Sequence, residues 1–158
     1  MLDRRHFLTV LGATGTILAT GHAFAQAAPL PKVVVTKDPN CGCCGGWVDH
    51  MKAAGFPVEV ITTPQVNRVK ARLGVPDDLA SCHTAEVAGY VIEGHVPADA
   101  VKRLLAEKPQ AKGLAVPGMP VGSPGMEVAG AENDTYDVVL FGPSGQKTFA
   151  RYQGPRLV

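Results

Sequence analysis

The chain has 158 residues, of which 46% are hydrophobic and 18% are charged, and its formal net charge is +1. This length fits one domain with one sizeable hydrophobic core. The near-neutral charge argues against nucleic acid or an anionic membrane surface as a partner, because both favour a basic excess.

The first 27 residues are predicted to be an export signal. The paired arginines Arg4 and Arg5 resemble the twin-arginine motif, and the alanine-rich stretch 23–27 supplies small residues for cleavage. The run 11–19 is too short and too weakly apolar to span about 30 Å of hydrocarbon, which favours cleavage over retention as an anchor. We therefore expect a periplasmic protein that leaves the membrane after cleavage and has a single metal-binding domain over residues 28–158, with 13 basic and 13 acidic residues.

Three cysteines, Cys41, Cys43 and Cys44, lie within four positions between a predicted strand at 32–37 and a predicted helix at 43–54. A helix N-terminus favours the thiolate form, through unpaired backbone N–H groups and the helix dipole. Thiolates are nucleophiles and also soft metal ligands. Cys41 and Cys44 form a CxxC pair suited to disulfide exchange, but Cys43 would compete in each redox cycle. This extra thiol favours metal binding.

An even number of cysteines in an exported protein ordinarily indicates disulfides. Here the spacing argues otherwise. A bridge within so tight a cluster must satisfy narrow limits on Cα separation and dihedral angle.

Past the cysteine cluster, the pattern continues with a strand at 57–62 and a helix from Thr63-Pro64 to Gly74, with an apolar stripe of Val66, Val69, Ala71 and Leu73. This strand-helix-strand-helix opening predicts parallel pairing of the first two strands.

The second half of the chain supplies the remaining elements. Cys82 and His83 lie on a predicted loop ahead of a strand at 89–94 and a helix at 97–107. The segment 112–134, which we call the connector, is rich in glycine and proline, and its apolar residues follow neither helical nor strand spacing. A hairpin at 136–141 and 147–153 closes the chain. Together these elements predict an α/β fold with a thioredoxin-like mixed sheet, flanking helices and a Gly/Pro-rich connector.

In thioredoxin-like folds, the loop that faces the CxxC helix lies just before a later strand. We therefore expect Cys82 to face the other three thiols. A tight thiolate cluster selects Cu(I), Zn(II) or iron-sulfur, whereas magnesium and calcium prefer oxygen ligands.

The connector carries Met119 and Met126, each directly after a glycine. Thioether is a copper ligand and is not expected at a structural zinc site, so these methionines favour copper over zinc. The alternative for each is a gap-filling role in the core. His83 is either a further ligand or a hydrogen-bonding neighbour of Cys82.

Three other residues are expected to lie outside the site. Met51 is predicted to be a core residue of the first helix, and His50 a surface residue of the same helix. His95 is predicted to be an ordinary turn residue ahead of Pro97.

Four stretches match one family in order: Asp-Pro-Asn-Cys-Gly-Cys-Cys, Ser-Cys-His-Thr, Gly-Tyr-Val-Ile-Glu-Gly-His-Val-Pro and Val-Pro-Gly-Met-Pro-x-Gly-Ser-Pro-Gly-Met-Glu. They resemble the CopG-like family of bacterial periplasmic copper-resistance proteins. The resemblance implies a thioredoxin-like fold and a thiolate-bridged copper cluster on four cysteines, with less direct transfer to His83, Met119 and Met126. Some relatives carry a further C-terminal cysteine pair, but this chain has no cysteine after Cys82.

The leading hypothesis is a copper-binding protein that holds Cu(I) on thiolates for copper resistance, with copper ions and other periplasmic copper-handling proteins as partners. An alternative is a thiol-disulfide oxidoreductase that uses Cys41 and Cys44, with Cys82 as a resolving thiol. A third hypothesis has the cluster cycle copper between oxidation states, and a fourth is structural zinc.

Overall fold

The computed structural model describes residues 29–158, so the predicted export signal at 1–27 lies outside the described residues. Within this part, no helix is long and apolar enough to cross a membrane. The strands are β1 (Val33–Lys37), β2 (Val58–Thr62), β3 (His83–Val87), β4 (Tyr90–Glu93), β5 (Gly113–Ala115), β6 (Thr135–Gly142), β7 (Gly145–Gln153) and β8 (Arg156–Leu157). The α-helices are α1 (Cys43–Ala53), α2 (Val66–Leu73) and α3 (Ala98–Glu107), and a short 3-10 helix spans Asp77–Leu79.

All eight described strands form one sheet in the order β2-β1-β3-β4-β5-β6-β7-β8. β1 and β2 pair in parallel, which confirms the pairing predicted from the strand-helix-strand opening. β3 runs antiparallel to both β1 and β4, and β4 pairs in parallel with β5. The fold is therefore a mixed α/β sheet with flanking helices, as predicted.

Three strands were not predicted. β3 begins at His83, so half of the expected loop 81–84 is strand, β5 lies inside the connector, and β8 follows the predicted closing hairpin. β5 has only three residues, too few to show a period. It approaches β4 so closely that a Cβ on Gly113 would lie 1.7 Å from Val91 O, which explains the glycine there. The close packing of β5 on β4 therefore accounts for a strand that the composition of the connector does not indicate.

The hydrophobic core lies on both faces of the sheet. Trp47 and Met51 of α1 are fully buried in the larger cluster, which confirms Met51 as a core residue. Ile92 belongs to this cluster, whereas its neighbour Val91 belongs to a second, smaller one with Phe141. Because successive strand residues point to opposite faces, the two clusters cover the two sides of the sheet.

Candidate metal centre

The four cysteine sulfurs, which we call the sulfur cluster, lie within 4.8 Å of one another where β1, α1 and β3 meet. β1 ends at Lys37, and the following turn is closed by bonds from Asn40 N–H to Asp38 Oδ1 (2.8 Å) and from Cys41 N–H to Asp38 O (3.1 Å). In the antiparallel β1–β3 pair, Lys37 lies opposite His83. That register places Cys82 beside the turn that carries the other three cysteines.

Cys43 is at the centre of the sulfur cluster. Its Sγ lies 3.6 Å from Cys41 Sγ and 3.8 Å from Cys82 Sγ, while Cys44 Sγ lies 3.6 Å from Cys82 Sγ. Helix α1 begins at Cys43, and no side chain caps its N-terminus. The N–H of Gly45 bonds to Gly42 O at 3.2 Å, so the first-turn N–H groups left to stabilise negative charge on nearby sulfurs are those of Cys43 and Cys44. The structure thus brings the four predicted thiols together.

Cys41 and Cys44 form a disulfide, with a Cα–Cα separation of 5.6 Å. The expectation that close spacing disfavours a bridge within the cluster is therefore wrong. Cys41 lies two residues before α1 and Cys44 lies in its first turn, and their Cα–Cα separation is in the range that disulfides prefer. Cys43 and Cys82 are free. All four cysteines are available as thiolates only after the Cys41–Cys44 disulfide has been reduced by two electrons.

The pKa of the Cys82 thiol is raised to about 12, chiefly by burial and next by the neighbouring Cys43. Desolvation disfavours the thiolate here because burial keeps water away from the charged sulfur. At neutral pH Cys82 is therefore a thiol in the metal-free protein.

Two buried histidines flank Cys82. His83 Nδ1 lies 3.3 Å from Cys82 Sγ, as its position next to that cysteine led us to expect. His95 Nε2 lies closer, at 3.0 Å, and both histidines are fully buried. Burial lowers the pKa of His83 to about 3 and also lowers the pKa of His95, so both imidazoles are neutral.

The prediction of an ordinary turn residue at His95 is wrong. Gly94 has a φ of +72°, and this left-handed conformation, which glycine readily adopts, turns the chain after β4. His95 then points to Cys82 instead of solvent. The only signal available in the sequence was its place in the Gly-Tyr-Val-Ile-Glu-Gly-His-Val-Pro stretch. His50 is also not a free surface residue, because its Nε2 accepts a hydrogen bond from Ala98 N–H (3.0 Å) at the start of α3.

The connector approaches the site from the side of α1. Met119 Sδ lies 4.0 Å from Cys43 Sγ, and Met119 is 52% exposed, so the thioether is open to solvent and to the cluster. Further along, a Cβ on Gly46 would lie only 2.8 Å from Gly125 Cα, which shows direct backbone packing of the connector on α1. Met126 is partly buried, and among the described residues its sulfur has no recorded bond to the cluster.

Comparison with known proteins adds three findings. Residues 79–126 match the family described as "Protein of unknown function, DUF411". Two solved structures, forms 2 and 1 of "Copper resistance protein copG", are each 44% identical to this chain with a TM-score of 0.73. They cover 78% and 79% of this chain, and the matches span 98% and 99% of those proteins. A search of curated proteins gives no significant match.

Proposed function

Because the chain belongs to the CopG family of copper resistance proteins, we propose that it binds copper, held as Cu(I) by Cys41, Cys43, Cys44 and Cys82. The observation that carries this proposal is the convergence of four sulfurs within 4.8 Å. Thiolate sulfur is a soft donor, and soft donors select Cu(I) over hard cations. The role we infer is copper resistance or homeostasis, by keeping Cu(I) bound.

Sulfur spacing alone does not separate copper from zinc. A tetrahedral zinc site with bonds of about 2.3 Å has sulfurs roughly 3.8 Å apart, close to the 3.6 Å and 3.8 Å found here. The argument for copper comes from Met119, whose thioether lies 4.0 Å from Cys43 Sγ. Thioether suits Cu(I) and is not expected at a closed structural zinc site. Both similar structures are also of a copper resistance protein.

We infer further that the sheet is thioredoxin-like and that the protein acts in the periplasm. The first inference is supported by a CxxC pair at the start of α1, directly after β1, and by Cys82 directly ahead of β3. The second is supported by Arg4 and Arg5 in the predicted export signal.

A second candidate function is thiol-disulfide exchange. The observation that favours it is the Cys41–Cys44 disulfide, with the free thiol of Cys82 at 3.6 Å from Cys44 Sγ. Attack of Cys82 on Cys44, with transfer of the Cys82 proton to His95 Nε2 at 3.0 Å, would form a Cys44–Cys82 bond and release Cys41 as the leaving thiolate. This chemistry uses the same sulfurs, so it competes with copper binding.

Anaerobic titration of the full chain with Cu(I) tests the proposal. We expect the reduced protein to bind Cu(I) tightly, and the disulfide form to bind fewer equivalents because only Cys43 and Cys82 remain free. Thiols counted by alkylation and mass spectrometry on the same samples define the two forms. If one equivalent of zinc is retained in the presence of excess Cu(I), the site is a structural zinc site. If the protein has disulfide reductase activity without copper binding, thiol-disulfide exchange replaces our proposal.

We expect Met119→Leu to weaken Cu(I) affinity by about 10-fold, because leucine keeps the apolar bulk and removes the sulfur near Cys43. Competition with a Cu(I) chelator measures the affinity. Met126→Leu is the matched control and should leave the affinity unchanged, since within residues 29–158 the Met126 sulfur makes no hydrogen bond to the cluster, unlike that of Met119. The metal-free proteins should all unfold at the same temperature. Equal affinities in the two variants and the wild type would make both methionines packing residues.

A further inference from the structure

The charged residues of the chain are unevenly distributed along the sequence. The three segments 38–51, 73–101 and 113–146 hold all four cysteines, and they contain eleven acidic residues but no lysine or arginine. All 13 basic residues of the predicted mature domain lie in the rest of that domain, together with only two acids, Glu59 and Glu107. The near-zero net charge therefore hides an acidic excess in the segments that build the metal centre.

Three carboxylates of these segments lie around the opening of the sulfur cluster. Asp38 closes the turn that leads to the cysteines. Asp134 lines the same groove as Met119. Glu127 is exposed, and its Oε2 accepts a hydrogen bond at 2.9 Å from the N–H of Gly125, whose backbone packs on α1. The carboxylates thus come from both sides of the site, the turn after β1 and the connector.

Two of the cations close to this opening are already neutralised. Lys70 is buried in its ion pair with Glu93, and Arg151 makes two hydrogen bonds to Asp137. Lys37 is a third cation, with its Nζ on a backbone carbonyl at 3.0 Å. One cation against three carboxylates leaves the opening with a negative field, which attracts cations and repels anions.

A groove of about 500 Å³ lies beside Met119. Pro117, Pro120 and Val139 give it an apolar lining, and Asp134 adds a carboxylate. The Met119 thioether is exposed and is also the methionine sulfur next to the sulfur cluster. A groove of this volume is far larger than a single ion needs, and its apolar lining suits a bound segment of another molecule.

We propose that this groove is the docking surface for a cationic segment of a protein that delivers Cu(I). The inference rests on the proposed copper-binding function and adds the kind of partner that supplies the ion. A cationic segment complements the carboxylates of the opening, and such complementarity speeds association by about 10- to 1,000-fold.

Delivery is an exchange of ligands at constant oxidation state. The bond from Cu(I) to a ligand of the donor breaks as a bond to the neutral Met119 thioether forms, so no proton moves in this step. Cys43, 4.0 Å from that thioether, then loses its thiol proton to solvent and takes over the ion as a thiolate. The groove holds the donor in place during the exchange.

Stopped-flow transfer of Cu(I) from two synthetic peptides to the reduced full chain tests the docking surface. Both peptides carry the same two methionines, flanked by lysines in one and by glutamates in the other. At low ionic strength we expect transfer from the cationic peptide to be at least about 10-fold faster. At about 1 M salt, where the Debye length is about 3 Å, the difference should fall below about 2-fold. Equal rates from the two peptides at low ionic strength would overturn the proposal.

The double variant Glu127→Gln/Asp134→Asn removes two charges and keeps both side-chain oxygens that accept backbone hydrogen bonds. We expect transfer from the cationic peptide to slow about 5-fold, with Cu(I) affinity unchanged in chelator competition. Glu59→Gln/Glu86→Gln is the matched control, because both residues are exposed and lie on either side of the second residue of β1. Equal slowing in the two double variants would show an effect of net charge alone and overturn the groove as its source.

Thr135→Trp tests the groove without a change in charge, because Thr135 is exposed and lines it. We expect transfer from the cationic peptide to slow at least about 10-fold, while loading from Cu(I)–acetonitrile keeps the wild-type rate. Thr62→Trp, on the exposed edge strand β2, is the control and should leave both rates unchanged. A wild-type rate from the cationic peptide in Thr135→Trp would overturn the docking surface.

Two further measurements keep these tests decisive. Circular dichroism identifies a variant that fails to fold, and the comparison of the two peptides on the wild type then carries the test alone. Cu(I) titration of the reduced wild type separates the two claims. Its failure would remove the proposed function, whereas failure of the rate tests would remove only the docking surface.

Discussion

Cys82→Ser is expected to lower the affinity of the reduced protein for Cu(I) by about 100-fold or more. Cys82 Sγ lies 3.8 Å from Cys43 Sγ and 3.6 Å from Cys44 Sγ, so it is an integral part of the sulfur cluster. Within residues 29–158, it is also the only cysteine whose sulfur groups with His83 and His95. Loss of groups that merely support a metal ligand costs 10- to 100-fold in affinity, and loss of a shared ligand should cost more. Chelator competition under anaerobic conditions measures the change.

Cys41→Ser is the matched control, because it makes the same chemical change at the edge of the cluster. Cys41 Sγ contacts Cys43 Sγ at 3.6 Å and bonds to Cys44, but it belongs only to the four-sulfur group. We expect a smaller loss of Cu(I) affinity. If Cys41→Ser and Cys82→Ser lose affinity equally, Cys82 is no more important to Cu(I) binding than a cysteine at the edge of the sulfur cluster.

Local patterns predicted the first half of the fold well. The β-branched run before the cysteines and the alternation at 57–62 became β1 and β2, and Gly74, with a φ of +73°, ends α2 as expected. The predicted apolar stripe of α2 was only partly right, because Val66 is buried but Ala71 is exposed. Lys70 is buried instead, because it pairs with Glu93 of β4. A hydrophobic pattern cannot indicate a partner on another element.

The residues of the candidate metal centre likewise fall into those that the local sequence predicts and those that it does not. The spacing of Cys41, Cys43 and Cys44 is local. The approach of Cys82 was predicted from a strand at 89–94, whereas the strand that places Cys82 beside β1 is β3, which was not predicted. His95 was missed because its contact with Cys82 depends on the turn after β4 and on Pro124 of the connector, which are far apart in sequence. The metal preference likewise depended on Met119, whose distance from Cys43 no sequence pattern fixes.

A buried ion pair lies beneath the loop that carries Cys82. Lys70 Nζ contacts Glu93 Oε1, with side-chain exposures of 6% and 0%. The same oxygen accepts a hydrogen bond from Ser81 N–H at 2.6 Å, and Ser81 Oγ donates to Gly118 O. The ion pair therefore positions Ser81, the residue before Cys82. Ser81 in turn positions Gly118, the residue before Met119.

Lys70→Met is expected to lower the free energy of unfolding by about 3–5 kcal/mol, because it leaves the Glu93 carboxylate buried without its cation. Glu93 Oε2 already lacks a hydrogen-bond partner within residues 29–158, so little else there compensates the charge. Urea denaturation of the metal-free protein measures the change. Lys32→Met is the control, because the Lys32–Glu59 pair is exposed at 58% and 50%, and such pairs contribute at most about 1 kcal/mol.

The double variant Lys70→Met/Glu93→Gln separates the charge from the hydrogen bond. Glutamine is neutral and of similar shape, and its side-chain oxygen can still accept from Ser81 N–H, so most of the lost stability should return. Since that hydrogen bond is what fixes the residue before Cys82, the double variant should also bind Cu(I) as the wild type does. If Lys70→Met is as mild as Lys32→Met, water reaches Glu93 in solution. The loop that carries Cys82 then depends on its other contacts, among them the bond from Gly118 N–H to Ala80 O.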